Sequence, residues 1–364
     1  MSPQLASTLT RAEYISSDVF ETEMACIFSQ YWLCIGRSES IAQAGDYFLQ
    51  TIGEENLIVT RDEEGQPHAF FNVCRHRGTR LCTESEGSLG RSIRCPYHAW
   101  TYGLNGRLLG APHMNEVADF DKAAFPLHEA QIAEWEGFLF INLDATAPPF
   151  SAVFAHILQK FTPWQLSRLR RHHRIEYHVQ ANWKILFQNY SECYHCPGVH
   201  PELARLSPYR SGVNDLTEGL VLGGPSLIRQ ADGSLTMSGQ RCSLPVGNVS
   251  GTDLQRVYFY TFFPNMFLSL HPDYVMVHLL WPLAPDQTLV FCDWLFDPLA
   301  ATQAGFHPDD AVAFWDLTNR QDWEVCELTQ AGVRSRRYLP GPYSTLETMS
   351  LAFEQTYRQA MNGR

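Results

Sequence analysis

Two sets of side chains in this chain have the types and spacing to hold metals. One is the run Asn189-Tyr-Ser-Glu192-Cys-Tyr-His195-Cys-Pro-Gly-Val-His200-Pro, in which four residues separate two imidazoles and a carboxylate stands three positions before the first. A third potential ligand, also a carboxylate, lies far downstream at Asp322. Two histidines and one carboxylate form the facial set that holds mononuclear Fe(II) with positions left open for O2 chemistry. The other set is Cys74-Arg-His76 with Cys95-Pro-Tyr-His98, one Cys and one His from each short loop. Such ligands admit structural zinc in a tetrahedron, or a [2Fe–2S] centre with Cys74 and Cys95 on one iron and His76 and His98 on the other. A zinc finger usually pairs Cys with Cys and His with His, and the neighbouring sequence is strand-rich, which favours the cluster.

These loops need rigid elements to carry them. Apolar residues at helical spacing (Phe20, Met24, Ile27, Phe28, Tyr31) predict a helix from Ser17 to Tyr31, capped by Ser17 or Asp18. From about Gly45 to Leu143 the runs are short and β-rich, with Asp62-Glu-Glu-Gly65 and Leu104-Asn-Gly-Arg-Leu as hairpin turns. This is a small antiparallel β domain interrupted by the two Cys/His loops. Ala147-Pro-Pro149 is a plausible boundary. Beyond it, Phe150 to Leu169 reads as helix and His173 to Gln180 as strand, and a helix from Ala181 carries Glu192 and His195 on one face. Ser207 to Val249 shows little periodicity, as a mobile loop over a pocket or a long surface excursion would. Four strands follow between Val257 and Phe296, then a long helix from Pro308 to Gly332 that contains Asp322. The expected fold class is α+β, with an N-terminal helical segment over 1–36, a cluster-binding domain over 37–147 and an iron domain over 148–364.

Charge and composition narrow the function. A net charge of -12 disfavours non-specific nucleic-acid binding, which needs cations to displace counterions. The first residues lack a basic, apolar leader and no apolar run is long enough to span a bilayer, so a cytoplasmic protein without membrane contact is expected. Ten cysteines then point to a reducing compartment. Cys26, Cys34, Cys82, Cys193, Cys196, Cys242, Cys292 and Cys326 are expected to be buried or partly buried thiols.

Cys-Arg-His-Arg-Gly and Cys-Pro-Tyr-His-Ala-Trp-Thr-Tyr, followed by Gly106, resemble the cluster loops of the Rieske non-haem iron oxygenases. Asn182-Trp-Lys184, Asn189-Tyr190 and Glu192-Cys-Tyr-His195 with His200-Pro resemble the iron motif of that family's catalytic domain. The resemblance runs from about Tyr31 to Tyr343. It implies a Rieske β domain followed by a helix-grip domain with an antiparallel sheet and a long C-terminal helix. It also implies Asp322 as third iron ligand, with Asp316 and Glu327 as competitors. Glu192 then bridges a cluster histidine and an iron histidine, usually across a subunit boundary of a homotrimer, and Asn189 belongs to the same catalytic motif. Cys82 stands where respiratory Rieske proteins have a loop disulfide, but Tyr97 occupies the place of its partner.

Glu192 departs from the arene-dioxygenase pattern, which has Asp one residue further from the preceding Asn. Glu-Cys-Tyr-His-Cys looks more like the subgroup that oxidises glycine betaine, stachydrine, carnitine and choline. The resemblance thus implies a terminal oxygenase that N-demethylates a quaternary ammonium compound, with NAD(P)H electrons arriving through a separate flavin/iron–sulfur reductase. No plant-type cysteine run or dinucleotide fingerprint occurs in the chain. An arene dioxygenase and a Rieske electron carrier without oxygenase activity are the competing readings. Phe187, Tyr194, Tyr209, Tyr258, Tyr260, Phe263 and Trp281 are the aromatics near such a site; most are expected in sheet or helix core, and those that face a pocket would suit an ammonium group or an arene alike. His271 and His278 read as ordinary strand histidines.

Overall fold

The β-rich runs of the first half pair into a seven-stranded antiparallel sheet in the computed structural model, which describes residues 6–363. From one edge to the other its strands are Leu33–Arg37, Phe138–Asn142, Glu129–Trp135, Pro67–Phe71, Glu55–Arg61, Asp46–Ile52 and Glu86–Ser88. Asp62 and Gly65 close the expected hairpin, with Gly65 at φ +80° where a side chain would be strained. A second, three-stranded sheet joins Ser92–Arg94, Thr101–Gly103 and Leu108–Gly110. Gly106 turns its hairpin at φ +78°, and an added Cβ would come within 2.5 Å of the Phe70 ring. The core around Phe70, Ile93, Trp100 and Tyr102 also buries Cys74 and Cys95, so the cluster loops are seated in packed apolar surface. These elements belong to one compact unit, Phe28–Leu158.

His68 on this sheet stands between two carboxylates, with Nδ1 2.8 Å from Glu129 and Nε2 2.8 Å from Asp62. Hydrogen bonding to Glu129, opposed by burial and joined by Asp62, raises its pKa above the ordinary value. A raised folded-state pKa gives stability that is complete below the unfolded value, near 6.5, and is lost as pH rises through the folded one. Stability of this unit, followed through cluster absorbance in urea, is therefore expected to fall from pH 6 towards pH 9. His68→Gln should flatten that slope; an unchanged slope would remove His68 as its source.

The other unit runs through Ile27 and resumes at Gln159. Its six-stranded antiparallel sheet has the order Arg170–Val179, Gln287–Phe296, Val275–Ala284, Met266–Leu270, Arg256–Phe262, Val221–Leu227. The helix Pro308–Val333 is tied to it by Trp315 Nε1 donating to the Tyr274 hydroxyl (2.7 Å) and by Asn319 Oδ1 at 3.2 Å from His278 Nε2. This is the α+β helix-grip arrangement implied by the resemblance, with a further helix, Thr348–Asn362, at the C-terminal end. His278 is buried on the strand Val275–Ala284, whereas His271 is buried in the turn that follows Met266–Leu270 and is not a strand residue.

Three segments differ from the sequence expectation. The helix expected over Ser17–Tyr31 runs only Ser17–Glu23, after a short helix Arg11–Ile15, and is capped by Ser16, whose Oγ accepts from Val19 N; the chain then widens into a π-helical turn, Met24–Phe28. Only Phe150–Val153 is α-helical in the stretch expected to run to Leu169, with 3-10 turns at Thr162–Trp164 and Leu166–Arg168. Phe150, Phe154, Ile157 and Phe161 are buried as a helical stripe would be, but the backbone continues in turns, and Pro163 cannot donate to a helical ladder. The span Ser207–Val249 is neither plain loop nor simple excursion, because it contains the edge strand Val221–Leu227. Gly223-Gly224-Pro225 hides that strand from pattern reading. The glycines are required there: a Cβ on Gly223 would lie 2.0 Å from Phe259 O, and one on Gly224 2.2 Å from Val213 O.

Candidate active site

The two Cys/His loops present their four side chains together. His76 and His98 rings are 4.7 Å apart, and His76 stacks on Trp100. Cys74 and Cys95 are buried free thiols. Tyr102 orients the first loop, its hydroxyl 3.3 Å from Cys74 Sγ and accepting from Arg75 N at 3.1 Å. Nδ1 of His76 and Nδ1 of His98 are both buried without a hydrogen-bond partner. Orphaned buried imidazole nitrogens are costly, and two beside two thiols are what a [2Fe–2S] centre would satisfy. Cys82 is a buried free thiol while Tyr97 is exposed.

The helix Trp183–Tyr190 carries the second set to its place but does not contain it. Asn182 caps this helix, its Oδ1 accepting from Lys184 N at 3.0 Å, and its Nδ2 donates to Tyr14 O and Pro285 O. The helix stops at Tyr190, where the Ser191 hydroxyl donates to Phe187 O (2.6 Å). Glu192 and His195 therefore meet across a turn and not along a helix face. Pro197 further on opposes continued helix by clashing with the carbonyl four residues back. Cys193 and Cys196 are joined as a disulfide, against the expectation of free thiols; their Cα atoms are 5.0 Å apart, within bridging range, because the turn folds back on itself.

Nε2 of His195 and Nε2 of His200 lie 3.2 Å apart, and Asp322 Oδ1 lies 3.2 Å from the first and 2.9 Å from the second. The three donor atoms form a group able to hold a metal ion. The remaining ring nitrogens are engaged: His195 Nδ1 with Glu192 Oε1 at 2.6 Å, and His200 Nδ1 with Gln321 Oε1 at 2.8 Å. Such outer partners fix the tautomer that leaves Nε2 free for metal. Gln321 was not singled out from the sequence; its position beside Asp322 was the available signal. Asp316 instead accepts from the Tyr177 hydroxyl and Arg320, and Glu327 accepts from Gln180 N. Burial opposes ionisation of Asp322, yet hydrogen bonds from His195 and His200 hold its pKa near 2. Burial likewise opposes the charged form of His195, and Asp322 and Glu192 overcome it. The donor set fits iron, which there would activate O2 with electrons supplied by the cluster.

A cavity of about 280 Å³ opens on these residues and is lined by Asn189, Glu192, His195, His200 and Asp322. Its aromatic lining is Tyr190, Tyr194, Tyr209, Phe259 and Trp315. Of the aromatics named from the sequence, Tyr194 and Tyr209 line it, while Phe187, Tyr258, Tyr260, Phe263 and Trp281 lie outside it, in line with the expectation that most of the set is core. Strand parity explains the division, since alternate residues face opposite sides. On Arg256–Phe262, Phe259 and Thr261 face the cavity, whereas Tyr258 packs on Trp164 and Tyr260 on Phe161.

Residues 31–121 match the Rieske [2Fe-2S] domain, and residues 166–363 match the catalytic domain of ring hydroxylating alpha subunits. The chain belongs to the Rieske oxygenase alpha subunits. This alpha subunit is 33% identical to the glycine betaine monooxygenase oxygenase subunit of Chromohalobacter salexigens, over 98% of this chain and 86% of that protein. It is 32% identical to the Pseudomonas aeruginosa protein of the same name, over 97% of this chain and 89% of that one. Among solved structures it resembles a quaternary ammonium Rieske monooxygenase described in connection with carnitine oxidation and inter-subunit electron transfer. The TM-score is 0.83 at 25% identity, covering 99% of this chain and 96% of that one. An oxygenase component of this kind draws its electrons from a separate reductase. Among the described residues no helix is long and apolar enough to cross a membrane.

Proposed function

We propose that this alpha subunit is the terminal oxygenase of a system that N-demethylates a quaternary ammonium compound such as glycine betaine. The observation that carries the reading is the cavity over the His195, His200 and Asp322 group, walled by Tyr190, Phe259 and Trp315. Phe259 stands in edge contact with both neighbours, 6.1 Å from Tyr190 and 6.0 Å from Trp315. A quaternary nitrogen has no hydrogen to donate and is held by aromatic faces. The glycine betaine relatives support the same class.

In this reading His195, His200 and Asp322 hold the iron, and Cys74, His76, Cys95 and His98 hold the cluster. Glu192 keeps the His195 Nδ1–H in place and forms the link to a cluster histidine of a neighbouring subunit in a homotrimer. Asn189 contributes to the cavity wall. The cavity opens on the residues that would hold the iron, and its aromatic wall would seat the ammonium group there. One oxygen atom of O2 enters the C–H bond and the other leaves as water, with two electrons and two protons supplied. The hemiaminal then breaks its C–N bond, releasing formaldehyde, a proton and the demethylated amine. A flavin/iron–sulfur reductase supplies the electrons from NAD(P)H, and the cytoplasm is the proposed compartment.

A single turnover of the reduced holoenzyme with O2 tests this. Glycine betaine is expected to give formaldehyde near one equivalent per iron site, and arenes no product. A cis-diol from an arene would move the protein to the dioxygenase branch. Product from no compound, with iron present only in the cluster, would favour the electron carrier.

A further inference from the structure

We infer that Arg210 recognises a carboxylate on the substrate, so that the site selects a zwitterion over a simple ammonium. This rests on the quaternary ammonium reading above and adds the residue that reads the other end of the molecule. Among the described residues that line the cavity, Arg210 is the only Lys or Arg. The carboxylates and histidines there, Glu192, His195, His200 and Asp322, are tied to one another. Arg210 has no hydrogen bond or ion pair from its side chain among the described residues; its one recorded contact is the Tyr209 ring, 5.4 Å away. Arg210 is thus an uncommitted positive charge at the edge of a site in an otherwise acidic protein of net charge -12.

Its backbone is well anchored. Ser211 N and Oγ both donate to Pro208 O, at 2.8 and 2.6 Å, closing a tight turn around Tyr209 and Arg210. Leu227 N donates to Ser211 Oγ (3.0 Å) and Val213 N to Pro225 O (2.9 Å), which fastens the turn to the edge strand. The nearby hydroxyls of Ser207 and Ser211 are spent on Leu227 O and Pro208 O, so they offer a carboxylate little competition for the guanidinium. A guanidinium presents two parallel N–H groups to a carboxylate, a geometry that an ammonium cannot copy. The aromatic wall then takes the trimethylammonium group and Arg210 the carboxylate.

The test is anaerobic calorimetry on the holoenzyme with glycine betaine and with choline, which shares the ammonium but has a hydroxyl in place of the carboxylate. Wild type is expected to bind glycine betaine more tightly. Arg210→Gln should weaken glycine betaine by roughly tenfold or more while leaving choline within about twofold, and Arg210→Lys should recover part of the loss. Because Arg210 is exposed, neither variant should disturb folding. Equal weakening of both ligands, or of neither, would overturn the role of Arg210 while the quaternary ammonium reading stood. Absence of binding by either ligand to wild type would instead remove that reading and this inference with it.

Discussion

Replacing Glu192 by alanine should leave both metal sites filled and yet lower turnover by roughly 100-fold, the upper range for loss of a partner that orients a metal-binding histidine. The carboxylate is placed for that role: its side chain is only 11% exposed, and Oε1 takes the His195 Nδ1–H at 2.6 Å. Oε2 accepts from the backbone N–H of Tyr194 and His195, so the same group also holds the turn on which His195 rides. Without it the imidazole can rotate or change tautomer, and the proposed link to a neighbouring cluster is lost. Iron content and the visible spectrum of the cluster should match wild type, while formaldehyde formed per cluster oxidised should collapse. Glu192→Gln keeps an acceptor for Nδ1–H and is expected to retain more activity than the alanine variant. Wild-type turnover by Glu192→Ala with its reductase would sink the assignment.

Glu23→Ala is expected to be the most damaging single change to stability, at about 3–5 kcal/mol for breaking a buried ion pair. Glu23 and Lys184 have no exposed side-chain surface, and Lys184 Nζ donates to Glu23 Oε1 at 2.5 Å. Tyr357 donates to the same oxygen at 2.8 Å, and Trp183 Nε1 to Oε2 at 2.9 Å. One carboxylate therefore ties the helix Ser17–Glu23 to Trp183–Tyr190 and to Thr348–Asn362. Burial drives the Lys184 pKa down, and Glu23 is the main group opposing that shift. Alanine at this position would strand the ammonium in apolar surroundings. Urea titration should show the midpoint falling sharply, whereas Glu23→Leu combined with Lys184→Met should recover much of the loss. A double variant no more stable than Glu23→Ala would place the stabilisation in the Trp183 and Tyr357 bonds rather than in the charge pair.

The sequence by itself offered the candidate ligand types and most of the order of elements, with the edge strand Val221–Leu227 missing. Metal-binding residue types at short spacing are local information: Cys74-Arg-His76, Cys95-Pro-Tyr-His98 and His195 with His200 each lie within one short stretch of chain. The strands from Arg256 to Phe296 were legible for the same reason, since period-two patterning of apolar residues needs only neighbours. Tertiary structure decided what depends on distant partners. It brought Asp322 to the histidines while Asp316 and Glu327 turned to Tyr177 and Gln180. It gave Lys184, read as part of an iron motif, a buried partner in Glu23. It chose Phe259 for the cavity over Tyr258 and Tyr260, because a strand's pattern shows two faces but not which neighbour covers each. The edge strand Val221–Leu227 was invisible for a related reason. Its glycines serve close approaches to Phe259 and Val213, a demand made by chain segments that no local window contains.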